Sequence, residues 1–267
     1  MLATGELGER RAAPERRGGG RRITELRAAI EQSQVEILFQ PQFASPDDRL
    51  IGAEALSRWN HPRLGRIGAE ALFDIAERAH QSAELTRHIA GRALATAATW
   101  PEPLRLSLNI TPADLREADF AEIVLEAASR AGFGLDRLTL EITEQALVTD
   151  LETSAAQLDL LARRGVRIAL DDFGAGFCNF RYLKHLPLHL LKLDRTMVQG
   201  IADNERDLAV LRGILAMARA LGLRVVAEGV ETEAQRSIVV REGCEKWQGF
   251  LGGMPMSAAE FAELARL

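Results

Sequence analysis

Eight polar residues stand out in this chain because each sits in or at the end of a short, otherwise apolar run. They are Glu54 in GAEALSRW, Asn109 in LSLNIT, Glu141 in LTLEITEQ, Asp171 and Asp172 in IALDDFGAG, Lys192 in LLKLD, Glu228 in VVAEGVE and Gln248 in KWQGFL. Taken singly, each has an ordinary explanation: a solvated glutamate, an asparagine capping the turn before Thr111-Pro112, a lysine reaching out to water. Taken together they do not. Five carboxylates converging on one mouth must raise one another's pKa values or hold cations. Carboxylate oxygens joined by an amide carbonyl form a hard, all-oxygen donor set that suits Mg²⁺ or Mn²⁺ rather than Zn²⁺. Adjacent Asp171 and Asp172 can face one pocket only from a strand end or irregular backbone. From there they could bridge two ions roughly 3.5–4 Å apart, an arrangement that clamps a phosphodiester and acidifies a water. Histidines 61, 80, 88, 185 and 189 do not fall at strand ends with ligand spacing, and no Gly-x-Ser-x-Gly elbow is present.

Such residues meet only if the elements that carry them form a closed, mostly parallel sheet. β-rich runs are expected at 36–43, 50–56, 104–110, 138–143, 167–172, 190–194, 224–229 and 246–251, alternating with amphipathic helical runs. The later helices are punctuated by Asp150 and Gly165, Asn204 and Gly222, and Thr232 and Gly243. Leu208, Leu211, Leu215 and Ala218 make one apolar helix face. Eight strands with intervening helices in about 245 residues predict an α/β fold, a (β/α)8 TIM-like barrel, whose chemistry belongs at the carboxyl ends of the strands. Only the six residues ASPDDR separate the first two strands, too few for a parallel crossover. The first strand is therefore expected to be antiparallel to the rest, turning at Pro46-Asp47-Asp48. No Gly-x-Gly-x-x-Gly or Walker pattern supports a dinucleotide-cofactor fold.

Composition narrows the partners. The chain has 267 residues, 47% of them hydrophobic, with 33 Lys+Arg, 38 Asp+Glu and a formal net charge of −5. This excludes disorder and argues against a broad basic face that coats duplex nucleic acid. Two cysteines, Cys178 and Cys244, support no disulfide framework and suit a reducing cytoplasm. No apolar run approaches the ~18 residues of a membrane span. Residues 1–22, rich in Gly and Arg, are expected to be a tail or linker, and 23–267 the barrel, entered by a short helix at 23–32 with Thr24 as N-cap. Lys184, Lys192 and Lys246 are the only lysines.

The ordered motifs resemble those of the EAL-domain family of cyclic di-GMP phosphodiesterases over about residues 23–265. Glu54-Ala55-Leu56 matches the family's name motif, extended by Arg58-Trp59 and Asn60-His61-Pro62. FQPQF at 39–43, LSLNIT, LEITE, DDFGAG, LKLD, AEGVE and QGF follow in the family's order. The resemblance implies hydrolysis of cyclic di-GMP to linear 5′-phosphoguanylyl-guanosine (pGpG). It implies that Glu54, Asn109, Glu141 and Asp171 ligate one Mg²⁺ or Mn²⁺, that Asp171 and Asp172 share a second, that Lys192 stabilises the nucleophilic water, and that Glu228 is general base or a further ligand. By the same resemblance Glu144 tethers the loop 173–185, which contributes to a homodimer contact; Arg58 meets substrate phosphate; and Gln40 and Gln248 approach the substrate or its waters. The chain departs from the family at Ala69, where proline is common, at Phe177-Cys178-Asn179-Phe180, where small hydroxyl residues are usual, and at Gly252-Gly253-Met254-Pro255, which lacks a basic residue before proline. A catalytically inactive cyclic di-GMP receptor and an enolase-like barrel enzyme are the competing readings. No ligand position is missing, and the enolase-like reading does not account for the whole motif series.

Overall fold

Along the strands, residues alternate between an apolar outer face and the barrel interior. In β4, Leu106, Leu108 and Ile110 are buried in the large cluster beneath the surrounding helices, while Arg105, Ser107 and Asn109 take the other face. The structure, a computed structural model, describes residues 19–32, 34–143, 151–176 and 180–266. Among these, nine strands occur: β1 (Val35–Ala44), β2 (Leu50–His61), β3 (Gly65–Ile67), β4 (Arg105–Ile110), β5 (Leu138–Thr143), β6 (Arg167–Phe173), β7 (Leu190–Leu193), β8 (Arg224–Ala227) and β9 (Lys246–Gln248). Their order is β1-β9-β8-β7-β6-β5-β4-β2-β3, and β1 also pairs with β2, which closes an eight-stranded barrel. β1 is antiparallel to both neighbours, and the remaining barrel pairs are parallel. The barrel and its antiparallel first strand follow the sequence-based expectation. β3 does not: this short strand, absent from the expected set, extends the far end of β2 outside the barrel.

Two cores result. The large one lies between the strands' outer faces and the helices, and a small one, Ala169, Leu190 and Val226, fills the barrel interior. The helix punctuation is largely as expected. Asn204 and Thr232 cap the helices Glu205–Ala220 and Glu233–Glu242 with side-chain hydrogen bonds, and Gly243 ends the second in the left-handed region. Leu211, Leu215 and Ala218 are buried, with Leu208 packed against them. The N-terminal helix, however, runs Gly19–Glu31, so Thr24 lies within it rather than at its cap. Asp150 lies outside the described residues. The first hairpin's tip is tied to β9, where Trp247 Nε1 donates to Asp48 Oδ1 at 3.0 Å and the Phe43 and Trp247 rings stack at 4.7 Å. No helix among the described residues is long and apolar enough to cross a membrane.

β2 and β4 approach closely at Gly52, where a Cβ would lie 2.2 Å from the Arg105 carbonyl oxygen. Because backbone on both sides is held by ladder bonds, neither strand can yield cheaply. Gly52→Ala is expected to cost roughly 2–4 kcal/mol and to lower the unfolding midpoint by about 5–10 °C in a calorimetric melt. A midpoint within 1 °C of wild type would refute this packing.

Candidate active site

The carboxyl ends of the strands bring four acids, each from a different strand or strand end, around one ammonium. Lys192, at the end of β7, is 1% exposed, and its Nζ lies 2.5 Å from Glu141 Oε2, 2.7 Å from Glu228 Oε1, 3.0 Å from Asp171 Oδ1 and 3.5 Å from Glu54 Oε2. Parallel registry sets this arrangement: Glu54 is opposite Ser107, Asn109 opposite Glu141, and Thr143 opposite Asp171. Asn109 Nδ2 donates to Glu54 Oε1 at 2.7 Å, leaving the amide oxygen as its acceptor. On the other side Gln248 Nε2 donates to Glu54 Oε2 at 2.8 Å and to Gln40 Oε1 at 3.1 Å. Gln42, buried and opposite Gln248, donates to Gln248 Oε1 at 2.9 Å.

Asp171 and Asp172 share the pocket because β6 is bulged. Leu170 pairs with Leu191 and Phe173 with Leu193, so β6 carries one residue more than β7 across this step. Asp172 takes φ 55° in the left-handed region, uncommon for a residue with a side chain. Asp171 is buried and Asp172 is exposed. Two carboxylate groups follow. One oxygen each from Glu54, Glu141 and Asp171 lie within 4.8 Å of one another, as do those from Asp171, Asp172 and Glu228.

Five carboxylates share one lysine, and their titration reflects that imbalance. Burial pulls Lys192 down, but Asp171, Glu141, Glu228 and Glu54 outweigh it and hold the ammonium well above its ordinary range. Burial raises Glu54, yet Lys192 with the Gln248 and Asn109 hydrogen bonds brings it below the usual carboxylate value. Burial pushes Glu141 up to about 8 against the pull of Lys192, with Glu54 and Asp171 adding to the rise. Glu228 and Asp171 are also raised, chiefly by burial, and burial with neighbouring Asp171 brings Asp172 to about 6.

Gln40, Glu54, Asp171, Asp172, Lys192, Glu228 and Gln248 line one cavity of about 320 Å³. Asn109 and Glu141 reach it through their contacts to Glu54 and Lys192. Arg58 is not among its lining residues; it shares the inward face of β2 with Glu54 and Leu56, and its Nη1 donates to the Ser57 carbonyl at 2.9 Å. Glu144 lies outside the described residues. Sequence reasoning missed Gln42, although it is two residues from Gln40 on the same strand face. It also missed Asp194, Arg195, Glu231 and Phe250 in the cavity wall. These sit on loops beyond the strand ends, where period-two counting stops. The loops approach so closely that a Cβ on Gly249 would lie 2.1 Å from the Val230 carbonyl oxygen.

Fold and site together define a (β/α)8-barrel domain with an acidic, all-oxygen mouth. A profile of the EAL domain matches residues 23–255, and the chain belongs to this family. It is 35% identical to the bifunctional diguanylate cyclase/cyclic di-GMP phosphodiesterase MucR of Pseudomonas aeruginosa, covering 89% of this chain and 35% of that protein. It is also 35% identical to the cyclic di-GMP phosphodiesterase NbdA of the same organism, covering 91% of this chain and 31% of NbdA. The chain thus spans about a third of the length of these relatives. Among solved structures, the PaMucR phosphodiesterase in complex with c-di-GMP matches with a TM-score of 0.83 and 34% identity, over 90% of this chain and 99% of that one. The EAL domain of Mycobacterium smegmatis DcpA matches with a TM-score of 0.74 and 31% identity, over 88% and 96% respectively.

Raised carboxylate pKa values have a stability consequence. Glu141 and Asp172 keep protons in the folded chain that the unfolded chain releases, so their contribution is complete below their ordinary range and is lost as pH rises through about 6 and then about 8. Lys192, raised above 10.5, and Glu54, lowered below 4.5, contribute constantly across that window. In chelator-treated protein the unfolding midpoint should therefore fall by several degrees between pH 5 and 8.5. A flat or rising midpoint would contradict the charge imbalance.

Proposed function

We propose that this chain hydrolyses cyclic di-GMP to linear pGpG with two Mg²⁺ or Mn²⁺ ions. The observation that carries the reading is a pair of carboxylate groups that share Asp171, set around one lysine at the mouth of an EAL barrel. The names of the relatives as cyclic di-GMP phosphodiesterases, and the c-di-GMP complex of the similar structure, support the choice of substrate.

The residues present fit the metals. Their donors are oxygens, their charge exceeds what Lys192 neutralises, and Glu228 Oε1 is buried without a hydrogen bond despite its proximity to the ammonium. Glu54, Asn109, Glu141 and Asp171 would hold one ion, and Asp171 with Asp172 the other, beside Glu228. When bound, the ions supply positive charge to the phosphate and acidity to a water. Glu228, in the cavity wall with Oε1 2.7 Å from Lys192 Nζ, would take the proton from the attacking water. Lys192 holds the carboxylates in register and favours the deprotonated nucleophile. The water oxygen bonds to phosphorus as the P–O3′ bond breaks, O3′ leaves with a proton, and the phosphate stays on the 5′ side. Gln42, Gln248 and Gln40 form a hydrogen-bonded row that orients Glu54. Arg58 is assigned to a substrate phosphate from the rim. Phe250 is 52% exposed in the cavity wall, a ring face open for stacking on guanine.

The reading includes a homodimer through residues 173–185, a role for Glu144 in tethering that loop, and a cytoplasmic setting, in which the unpaired Cys244 stays reduced. Light scattering at assay concentrations tests the dimer, and a monomer mass throughout would remove it. The activity is tested by incubating the protein with cyclic di-GMP and Mn²⁺ and resolving the products chromatographically. Linear pGpG is expected, and Glu54→Ala should lower turnover by at least a thousandfold with loss of Mn²⁺ binding in calorimetry. Binding of the cyclic dinucleotide without product would overturn the enzyme reading in favour of a receptor. Phe250→Ala should raise KM roughly tenfold with little change in kcat, the loss of one base–aromatic stack. An unchanged KM would remove Phe250 from the substrate site.

A further inference from the structure

The inward faces of the strands carry a second polar layer at the opposite pole of the barrel. Stepping back two residues at a time from Asn109, Asp171, Glu228 and Gln248 leads through Ser107, Ala169 and Val226 to Arg105, Arg167, Arg224 and Lys246. Each of these four is the first residue of its strand, so four cations ring the amino-terminal pole. Arg137, one residue before β5, joins them; its Nε donates to the Leu104 carbonyl at 2.7 Å. The acidic groups facing them are fewer. Glu245 pairs with Arg224 at 3.1 Å, Glu102 lies 3.7 Å from Arg137, and Asp136, whose backbone carbonyl accepts from Arg105, also sets its carboxylate in the field of Arg105 and Arg167. His189, whose Nδ1 accepts from the Ile168 amide at 3.2 Å, also lies in the field of Arg224 and Arg167.

Three donors at this pole are unused among the described residues. Lys246 is 6% exposed, and its ammonium makes no hydrogen bond or ion pair. Arg137 Nη2 is buried without a hydrogen bond. So is Ser45 Oγ, on the hairpin tip whose backbone amide donates to the Glu245 carbonyl at 3.0 Å. Arg137 Nη2 and Ser45 Oγ, cut off from solvent, each forfeit their hydration, a cost that proteins ordinarily avoid. Burial and repulsion from Arg167, Arg105 and Arg224 hold Lys246 down to about 8, so the pole is short of negative charge.

We propose that the amino-terminal pole of the barrel is a binding site for a small, multiply charged phosphate-type oxyanion, held by Lys246, Arg167, Arg105 and Arg224. A compact anion is favoured over an acidic protein surface because the unused donors are recessed, and a carboxylate on a folded face does not reach them. The rim is open, since the Arg224 and Glu245 side chains are 38% and 42% exposed. Guanidinium forks match tetrahedral oxyanions in two-point contacts, and the ammonium adds a point charge. The site is independent of the acidic mouth, whose own charge repels anions when no cation is bound.

Inorganic pyrophosphate is the probe, titrated by calorimetry into chelator-treated protein at constant ionic strength, with chloride as the reference anion. Saturable one-site binding is expected. Lys246→Met and Arg167→Gln, each checked for fold by circular dichroism, should weaken it at least tenfold; if one variant does not fold, the other decides. Non-saturable binding, affinity unchanged in a folded variant, or binding of a glutamate-rich peptide but not of pyrophosphate would overturn the proposal.

Discussion

Lys192 Nζ has four carboxylates within 3.5 Å, and this contact sets most of what the barrel must do. A buried ammonium costs several kcal/mol to desolvate, and a buried carboxylate as much, so neither is tolerable alone. Each of the four acids comes from a different strand or strand end: Glu54 from β2, Glu141 from β5, Asp171 from β6 and Glu228 just past β8. They reach a lysine on β7 only in a closed barrel with a fixed register. A one-residue slip in any strand would turn its acid outward and put an apolar residue in its place. The ammonium is nevertheless outnumbered. Five acids against one lysine leave a surplus that burial makes costly, and the raised values at Glu141, Asp171, Asp172 and Glu228 express that cost. A site built for stability alone would carry fewer acids or more bases. The surplus is what a divalent cation relieves, so the same feature that makes the acidic mouth costly suits it to metal.

The barrel interior keeps opposite charges apart. The acidic layer at the carboxyl ends and the cationic layer at the strand beginnings are four residues apart, roughly 13 Å along a strand. Ser107, Ala169, Leu190 and Val226 fill the space between with small or apolar groups. At that distance an opposite-charge pair attracts by roughly 1 kcal/mol at an effective dielectric of 20, enough to help both layers without joining them. Had the arginines lain one layer higher, bidentate guanidinium pairs would have satisfied the carboxylates and closed the mouth to cations. Two of the three lysines are buried, and they are divided between the poles: Lys192 among excess acids, Lys246 among excess bases.

Much of this was legible in the sequence because period-two alternation and the position of strand ends are local properties. They placed Glu54, Asn109, Glu141, Asp171, Lys192, Glu228 and Gln248 at one end of the barrel, and the six residues ASPDDR were enough to set β1 antiparallel. The cationic pole was not read, although the same counting leads to it, because an arginine at a strand's first position is unremarkable until closure brings four of them together. Gln42 was missed for a related reason: its partner, Gln248, is more than 200 residues away, and only the β1–β9 pairing joins them. Thr24 has the chemistry of an N-cap, but the helix continues through it to Gly19, so local capping preference did not set the boundary. Phe250 and Arg195 lie on loops, where no periodicity exists to count.

The Asp171-Asp172 step shows how far local chemistry constrains the whole. Adjacent residues on a regular strand point to opposite faces, so two neighbouring carboxylates cannot serve one pocket without a break in alternation. The break is the β6 bulge, and it puts Asp172 at φ 55°, a conformation that costs of order 1 kcal/mol for a residue with a side chain. Phe173 then returns to the ladder opposite Leu193, and the Asp194 amide donates to the Phe173 carbonyl at 3.1 Å. Gly174 follows at φ 101°, where a Cβ would lie 2.6 Å from Met197 Cγ. On its far side the bulge is held by the Asp194–Phe173 backbone bond, and Met197, on the helix that follows β7, packs close to Gly174. Strain at this one residue is sustained because Asp171, buried against Lys192, holds one side of it and packed backbone holds the other. That is the geometry required if Asp171 is to belong to both carboxylate groups at once.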